Sequence, residues 1–233
     1  MRAIRKISAA ALVAAACGAG VQPASAAATF FFSDTPYLSE ADIPHQFYFG
    51  DAPVLLDTLE DGSLDASLSA SAGSVIGPGQ FDGLRDSVDG DDGDIDGSGT
   101  AGRSWFTGDG TTGVTFTFNG VDLPTAFGLV WTDSGNEVVF SAKDGNGDSL
   151  GTITRSGFSD GVFTGATAED RFFGVTFEGG IKSISISNFG AGIELDHIQY
   201  GIMFEPTPVP LPGAAWLMLS GAAALAVRRR RAG

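Results

Sequence analysis

The stretch VVFSAKDGNGDSLGTIT, Val138 to Thr154, does most to decide the fold. Its first half places apolar residues at alternate positions, which is typical of a β-strand with one buried face. The Asp-Gly-Asn-Gly sequence that follows is a strong turn signal, because asparagine and glycine tolerate the positive φ angles of tight hairpins. A second strand pattern comes directly after it, so the stretch predicts an antiparallel hairpin. Asp144, Asn146 and Asp148 have a spacing that also suits calcium, but the turn is sufficient to explain them.

Three other runs alternate in the same way and predict further strands. Their buried faces would carry Val114, Phe116 and Phe118 in GVTFTF, Phe173, Val175 and Phe177 in RFFGVTFE, and Ile184 and Ile186 in IKSISIS. Convincing amphipathic helices are few, and no internal repeat or long linker comes before Glu205. The sequence therefore predicts an all-β fold, a single jelly-roll-like β-sandwich domain over residues 29–204.

The first 26 residues have the composition of a secretory signal peptide. Three basic residues precede an alanine-rich apolar run from Ile7 to Ala16, and small residues follow around Ala26. Residues 1–26 are therefore predicted to be removed on export. Cys17 is the only cysteine and would leave with them, so the mature domain is predicted to have no disulfide and no thiol chemistry. A lipoprotein signal at Cys17 is the alternative, although Ala14 stands where a leucine-like residue is expected.

The C-terminal residues fall into three parts. Residues 205–212 are proline-rich and are predicted to be extended, because proline fits neither a helix interior nor a central strand. Residues 213–227 are apolar but shorter than the about 20 residues that cross a bilayer comfortably. Four arginines, Arg228 to Arg231, follow in the positive-inside arrangement. Residues 213–233 are thus predicted to hold a single hydrophobic helix with an arginine-rich end.

This tail resembles the PEP-CTERM sorting signal of Gram-negative bacteria. The motif of that family is Val-Pro-Glu-Pro, and here it reads Val209-Pro210-Leu211-Pro212. The resemblance implies recognition by an exosortase-type membrane protease and loss of the tail. It also implies delivery to the cell surface or to an extracellular polysaccharide matrix after transient anchoring in the inner membrane. A permanent membrane anchor is the alternative.

The predicted domain is strongly acidic. Of the 13 basic residues, three lie in the predicted signal peptide and four in the C-terminal arginine block, which leaves six against 28 acidic residues. Nucleic acid is not expected as a partner, because affinity for its phosphate backbone depends on cationic contacts. Such a surface favours solubility and suits divalent cations.

One acidic segment has part of a calcium-loop pattern. Asp92, Asp94 and Asp96 alternate and are followed by Gly97, as in the first half of an EF-hand loop. The twelfth position is Arg103 in place of the required bidentate glutamate, which excludes a complete EF-hand. A looser calcium loop and a flexible acidic loop both remain open.

A second structural calcium site is predicted from two distant segments. In a jelly roll the first and last strands are neighbours, and an early corner with Glu60 and Asp61 would meet a late strand with Glu194 and Asp196. Alternation places Glu194 and Asp196 on one face of that strand. The pieces resemble the structural calcium site of lectin-like, carbohydrate-binding jelly rolls. A solvated strand face is the alternative.

The segments SVDGDDGDIDGSGTAGRS, TAEDRFFGV and IELDHIQYG resemble a group of exported bacterial β-domains that often carry PEP-CTERM tails. This resemblance implies the fold and the location of the protein, but it implies little about its chemistry. No catalytic constellation stands out, since the chain has two histidines, His45 and His197, and no Gly-x-Ser-x-Gly. Five aromatic side chains are candidates for a sugar-stacking platform, with core packing as the alternative for each: Tyr37, Tyr48, Trp105, Trp131 and Tyr200.

We therefore expect a noncatalytic, polysaccharide-associated or carbohydrate-binding protein. A surface structural protein without a ligand is one alternative. An acidic secreted glycoside hydrolase is another, because paired carboxylates arise readily among so many acidic residues.

Overall fold

The computed structural model describes residues 27–47, 55–77, 80, 102–133, 137–159, 168–190 and 192–202. Within these residues the chain forms twelve β-strands and two short 3-10 helices. No helix in the described ranges has the length and apolar character needed to span a membrane. The predicted signal peptide, residues 92–96, the motif at 209–212 and residues 213–233 lie outside the described residues.

The two 3-10 helices are Glu40–Asp42 and His45–Phe47. The strands are β1 (Thr29–Phe32), β2 (Leu55–Asp57), β3 (Leu68–Ala70), β4 (Ser74–Ile76), β5 (Ser104–Thr107), β6 (Val114–Phe118), β7 (Ala126–Asp133), β8 (Glu137–Asp144), β9 (Ser149–Ser156), β10 (Arg171–Thr176), β11 (Ile181–Asn188) and β12 (Ile193–Gly201).

The strands form two antiparallel sheets that pack face to face. The seven-stranded sheet has the order β1-β10-β7-β12-β5-β4, with β2 also paired to β12. The five-stranded sheet has the order β3-β6-β11-β8-β9. The chain passes repeatedly from one sheet to the other, as in a jelly roll, so the predicted all-β sandwich is confirmed.

The predicted hairpin over Val138 to Thr154 is present. Strands β8 and β9 pair on either side of a turn from Asp144 to Asp148. The carboxylate of Asp144 accepts the backbone N–H groups of Asn146 and Asp148, each at 2.9 Å. Gly147 has a φ of +86°, which explains a glycine at that position. The turn therefore accounts for this Asp-Asn-Asp spacing.

The core between the sheets contains the residues that alternation selects. Phe116 of β6 and Ile184 of β11 are fully buried, and so is Phe173 of β10 on the facing sheet. Trp131 and Leu129 of β7 complete the centre of this layer. The periodicity of these strands thus identifies the inner faces correctly.

A second apolar layer lies on the other side of the seven-stranded sheet. Residues 37–47, here named the covering segment, pack Tyr37, Ile43 and Phe47 onto that face. The rings of Phe47 and Phe172 are 4.9 Å apart at 73°, an edge-to-face contact. As a result, all eight residues of β7 are buried, and the central strands of this sheet have no solvent-facing side.

Candidate functional site

Strand β12 is the element that brings the predicted early and late acidic segments together. The expectation that the first strand neighbours the last is wrong for β1, which pairs with β10 at the edge of the sheet that the described residues form. The early strand that pairs with β12 is the short strand β2, in which Asp57 is opposite Ile198 of β12. The predicted corner follows β2 directly, because the chain turns at Leu59, where φ is +63°.

The two acidic residues of this corner have different roles. The Oε1 atom of Glu60 accepts the backbone N–H of Arg103 at 2.5 Å, and Arg103 directly precedes β5, which also pairs with β12. Asp61 is exposed, and its Oδ1 accepts the N–H and the hydroxyl of Ser63 at 2.8 and 2.9 Å. The structure therefore brings Glu60 towards β12 and leaves Asp61 as a turn-stabilising residue.

Glu194 and Asp196 share one face of β12, as alternation predicts, while Ile193 and Leu195 enter the core between the sheets. The acidic face is covered: Glu194 is 4% exposed and Asp196 is 0% exposed. A solvated strand face is thus wrong for this pair. Glu194 accepts a hydrogen bond from the hydroxyl of Ser104, and Asp196 accepts the N–H of the next residue at 2.7 Å. Their burial also leaves the pair poorly placed to meet a polysaccharide substrate.

The predicted calcium ligands do not form a complete site among the described residues. No group of three or more His, Cys, Asp or Glu side chains within those residues could hold a metal ion. Asp61 points into its own turn, and Glu60 is committed to the Arg103 backbone. Asp92, Asp94 and Asp96 lie outside the described residues. Calcium binding therefore stays a prediction.

His197 marks an irregularity in β12 that the sequence pattern did not reveal. Its φ is +45°, and the pairing with β7 shifts register between Asp196 and Gln199. The extra residue changes the phase of the strand, so Leu195 and Ile198 both reach the core between the sheets. The His197 ring contacts Tyr37 edge to face, with 3.3 Å between Nδ1 and the phenol oxygen. This contact ties the covering segment to the bulge.

A hydrogen-bond network links the two sheets at one end of the sandwich. The Tyr200 hydroxyl donates to Oδ1 of Asp65 at 2.7 Å and lies 3.0 Å from the hydroxyl of Ser67. Burial raises the pKa of Tyr200 to about 12. The hydrogen bonds from Ser67 and then from Tyr200 lower the pKa of Asp65.

Asp57 lies next to this network and holds the same loop. Its two oxygens accept the N–H groups of Leu59 and Asp65 at 3.0 and 2.7 Å, and burial raises its pKa. With Glu60, Asp61 and Asp65 it lines a shallow depression of about 310 Å³. Asp57, Glu60, Asp61 and Asp65 all accept hydrogen bonds from the chain itself, so these carboxylates stabilise the loop that lines the depression.

The predicted aromatic platform is wrong for the four described members. Tyr37, Trp105, Trp131 and Tyr200 are all buried. Trp105, for example, donates its ring N–H to the carbonyl of Ala72 at 3.1 Å and packs its ring against Phe116. Tyr48 lies outside the described residues. Core packing, the alternative, is what the structure shows for these four rings.

Among the described residues, the outer face of the five-stranded sheet carries many exposed or half-buried serine and threonine side chains, and we name it the hydroxyl face. One row crosses the sheet from Thr115 through Ser185 and Ser141 to Thr152, each opposite the next. Thr115 and Ser185 are joined by a hydroxyl–hydroxyl hydrogen bond of 2.7 Å. The other Ser and Thr residues on this side of the described sheet include Ser69, Thr117, Ser149, Thr154, Ser156, Ser187 and the buried Ser183.

Phe189 provides the exposed aromatic ring that the sequence reasoning missed. It follows β11 in phase with Ser185 and Ser187, and its side chain is 79% exposed. Its backbone N–H donates to the carbonyl of Glu137 at 3.0 Å, which continues the β11–β8 pairing by one residue. The alternation of IKSISISNF carries the signal, because Phe189 falls on the serine side of that run. The hydroxyl face thus ends in an apolar ring at the solvent.

Neither a family model nor a curated protein matches the sequence. Among solved structures, the chain is similar to the K1 cleaved adhesin domain of Lys-gingipain from Porphyromonas gingivalis W83, with 13% identity, a TM-score of 0.41, and coverage of 64% of this chain and 98% of that one. It is also similar to the C-terminal family 22 carbohydrate-binding module of Clostridium thermocellum Xyn10B, with 12% identity, a TM-score of 0.34, and coverage of 64% and 92%. The fold assignment rests on this chain's own strand pairing, which is that of an antiparallel β-sandwich.

Proposed function

We propose that this chain is an exported, noncatalytic β-sandwich protein that binds a polysaccharide through the hydroxyl face. One observation carries the proposal: the open face presents rows of serine and threonine side chains and ends in the exposed ring of Phe189. The acidic and aromatic residues that first suggested a site are largely buried or engaged in turns instead.

The chemistry of the face fits a polyhydroxylated polymer. Each serine or threonine hydroxyl is both a donor and an acceptor, as is each sugar hydroxyl, so the two surfaces can exchange hydrogen bonds without a charged partner. An exposed phenyl ring packs against the apolar C–H side of a sugar ring. A flat strand face also allows many weak contacts to add up along an extended ligand.

The proposed location is the cell surface or an extracellular matrix of a Gram-negative bacterium. Support comes from the sequence: the signal-peptide pattern of residues 1–26 and the tail with Val209-Pro210-Leu211-Pro212. An exosortase-type protease would then be a partner during sorting, and matrix polysaccharide would be available afterwards. Mass spectrometry of surface or matrix material should find the protein without Arg228 to Arg231. Mature protein that retains this block would contradict the sorting proposal.

The polysaccharide-binding proposal is tested by removing the exposed ring. Phe189→Ala in the full-length protein should weaken binding to insoluble and gel-embedded polysaccharides at least about tenfold, because an aromatic anchor at a binding surface is typically a hot spot. The panel would include cellulose, xylan, glucomannan, chitin, β-1,3-glucan, dextran and polygalacturonate. Affinity electrophoresis and depletion from solution give the dissociation constants.

Leu38→Ala is the matched control. Leu38 is an exposed apolar residue, 51% accessible, in the covering segment on the opposite side of the sandwich. Its replacement should leave polysaccharide binding unchanged. Equal binding by the Phe189→Ala variant and the unaltered protein would contradict the assignment of the site, and absence of binding to the whole panel would contradict the function.

A further inference from the structure

Strand β9 forms one edge of the five-stranded sheet. It is last in the order β3-β6-β11-β8-β9, and within the described residues it pairs with β8 alone. Five of its eight residues are exposed. An edge strand of this length presents N–H and C=O groups to which a strand of another chain can add. The edge of β9 is therefore a pairing site unless a side chain closes it.

The hydrogen-bond pattern shows which backbone groups of β9 face the open edge. The N–H of Phe189, which continues β11, donates to the carbonyl of Glu137, so the backbone groups of Glu137 face β11. Successive residues of a strand alternate in this respect, so those of Val138 face β9, where Val138 is opposite Arg155. The backbone groups of Arg155 therefore face β8, and those of Thr154 face away from the sheet.

The side chain of Arg155 covers this edge at Thr154. Its Nη1 donates to the carbonyl of Thr154 at 2.9 Å. Its guanidinium carbon lies 5.2 Å from the centroid of the Phe32 ring in β1, the edge strand of the other sheet. Attraction between the cation and the ring holds the guanidinium beside the strand. Arg155 thus occupies the position from which the N–H of an added strand would donate to this carbonyl.

We infer that the open edge of β9 is a pairing site for a second copy of this chain and that Arg155 keeps this site closed. The inference goes beyond polysaccharide binding and does not depend on it. Pairing would be antiparallel about a two-fold axis, because two identical strands satisfy each other's edge groups in that arrangement. It would join two five-stranded sheets into one sheet of ten strands and make their hydroxyl faces continuous.

The composition of β9 suits a second copy as the partner. Arg155 is the only charged residue of the strand, so pairing brings no carboxylate of β9 close to another, although the chain as a whole is acidic. Pairing centred on Ile153 would place Thr152 of each copy opposite Thr154 of the other, and threonine pairs across strands are favourable. Loss of Arg155 would remove both the cap and the repulsion between the two guanidinium groups.

The test measures dimer formation by the full-length protein over a concentration series, by size-exclusion chromatography with light scattering. Arg155→Thr should dimerise at a concentration at least about tenfold lower than the unaltered protein, a difference of about 1.4 kcal/mol. Threonine favours strands, so the variant should keep the far-ultraviolet circular dichroism spectrum of the unaltered protein. Lys143→Thr is the matched control, because it removes a cation from β8, which is paired on both sides, and should not change dimerisation.

A second variant locates the contact. Thr154→Pro in the Arg155→Thr protein removes the edge N–H and leaves the hydrogen bonds to β8 in place, because proline is tolerated where the N–H faces outward. This double variant should return to the dimerisation of the unaltered protein. All variants carry the same C-terminal residues, so the differences between them report on β9.

Three results would overturn the inference. The first is an Arg155→Thr variant that dimerises no more readily than the unaltered protein, and the second is association that persists in the double variant. The third is an unaltered protein that already forms a dimer which Thr154→Pro alone abolishes, because Arg155 would then not close the edge. None of these results bears on polysaccharide binding, which is tested separately at Phe189.

Discussion

The outer faces of the two sheets differ although their strands alternate in the same way. On the seven-stranded sheet, the outward residues include Ala126, Val130 and Phe172, and the covering segment buries them. On the five-stranded sheet, the outward residues are mostly serines and threonines, and no described segment covers them. Alternation identifies which side of a strand faces the core, but the residue types on the other side indicate whether more of the chain packs there.

The difference also separates the residues expected to stabilise the fold from the residues proposed to bind a ligand. The covered face holds Glu194, Asp196 and His197, all of them buried, and tethers the covering segment through Tyr37. The open face contributes little buried apolar surface and carries the proposed ligand contacts. We therefore expect substitutions on the covered face to change unfolding free energy and substitutions on the open face to change binding.

The largest effect is expected for Phe172→Ala on the covered face. Phe172 is fully buried and contacts Phe47 of the covering segment, so the substitution opens a cavity and should lower the free energy of unfolding by about 3–5 kcal/mol. Urea denaturation with linear extrapolation measures the change. Thr117→Ala on the hydroxyl face is the control and should change stability by about 0.5 kcal/mol or less. Similar losses for the two variants would contradict the distinction between the faces.

The calcium prediction gives the next largest effect. If an ion binds only the folded protein, stability rises by about 2.7 kcal/mol at a hundredfold excess over the dissociation constant. A chelator should then lower the melting temperature, and calcium should restore it better than sodium chloride of equal ionic strength, because carboxylate oxygens are its preferred ligands. Differential scanning calorimetry provides the measurement.

Two sets of substitutions locate the ion. Asp196→Asn should remove the calcium-dependent shift if the covered face contributes a ligand, whereas Asp92→Asn with Asp94→Asn should remove it if the acidic segment does. The readout is the shift between chelator and calcium, which separates ion binding from a general loss of stability. A melting curve that responds to neither chelator nor calcium would show the prediction to be wrong.

The smallest effect is expected for a substitution in the hydrogen-bond network that links the two sheets. Tyr200→Phe removes the hydroxyl that donates to Asp65 and should cost about 1 kcal/mol at neutral pH, since this hydrogen bond is only partly buried. The lowered pKa of Asp65 contributes stability above its unfolded value of 3.8, and this contribution is lost as pH falls through the folded pKa. The variant should therefore approach the unaltered protein in strong acid.

Tyr200 adds an alkaline test of the same network. Its pKa is raised from 10.0 to about 12, so its contribution is complete below pH 10 and is lost as pH rises towards 12. Urea denaturation across both pH ranges should show a smaller pH dependence for the phenylalanine variant. Parallel pH profiles for the two proteins would contradict the assigned network.

The strands with one buried face were predictable from the sequence. Val114 and Phe116 of β6, and Ile184 and Ile186 of β11, are buried as their spacing predicts, and the Asp-Gly-Asn-Gly turn closes the β8–β9 hairpin. Local pattern suffices there because one side faces the core and the other faces water. Strand β7 gives no such pattern, because both of its sides are packed.

The candidate site was less predictable. The shared face of Glu194 and Asp196 follows from alternation, but their burial depends on packing against segments distant in the sequence. The aromatic platform was predicted from residue type alone, and residue type does not distinguish a buried Trp131 from an exposed Phe189. The exposed fraction of a side chain depends on the residues packed around it, and the whole fold determines which residues those are.

By itself, the sequence determined the β class, the hairpin, the alternation of β6 and β11, and the acidic character of the chain, because these depend on residues close together or on composition. Only the tertiary structure decided that β2 rather than β1 pairs with β12 and that the bulge at His197 keeps Ile198 in the core. The tertiary structure alone decided which sheet has a covered outer face and which sheet has an open one. Pairing and coverage are contacts between distant segments, and their free energy depends on the complete packing arrangement rather than on any local pattern.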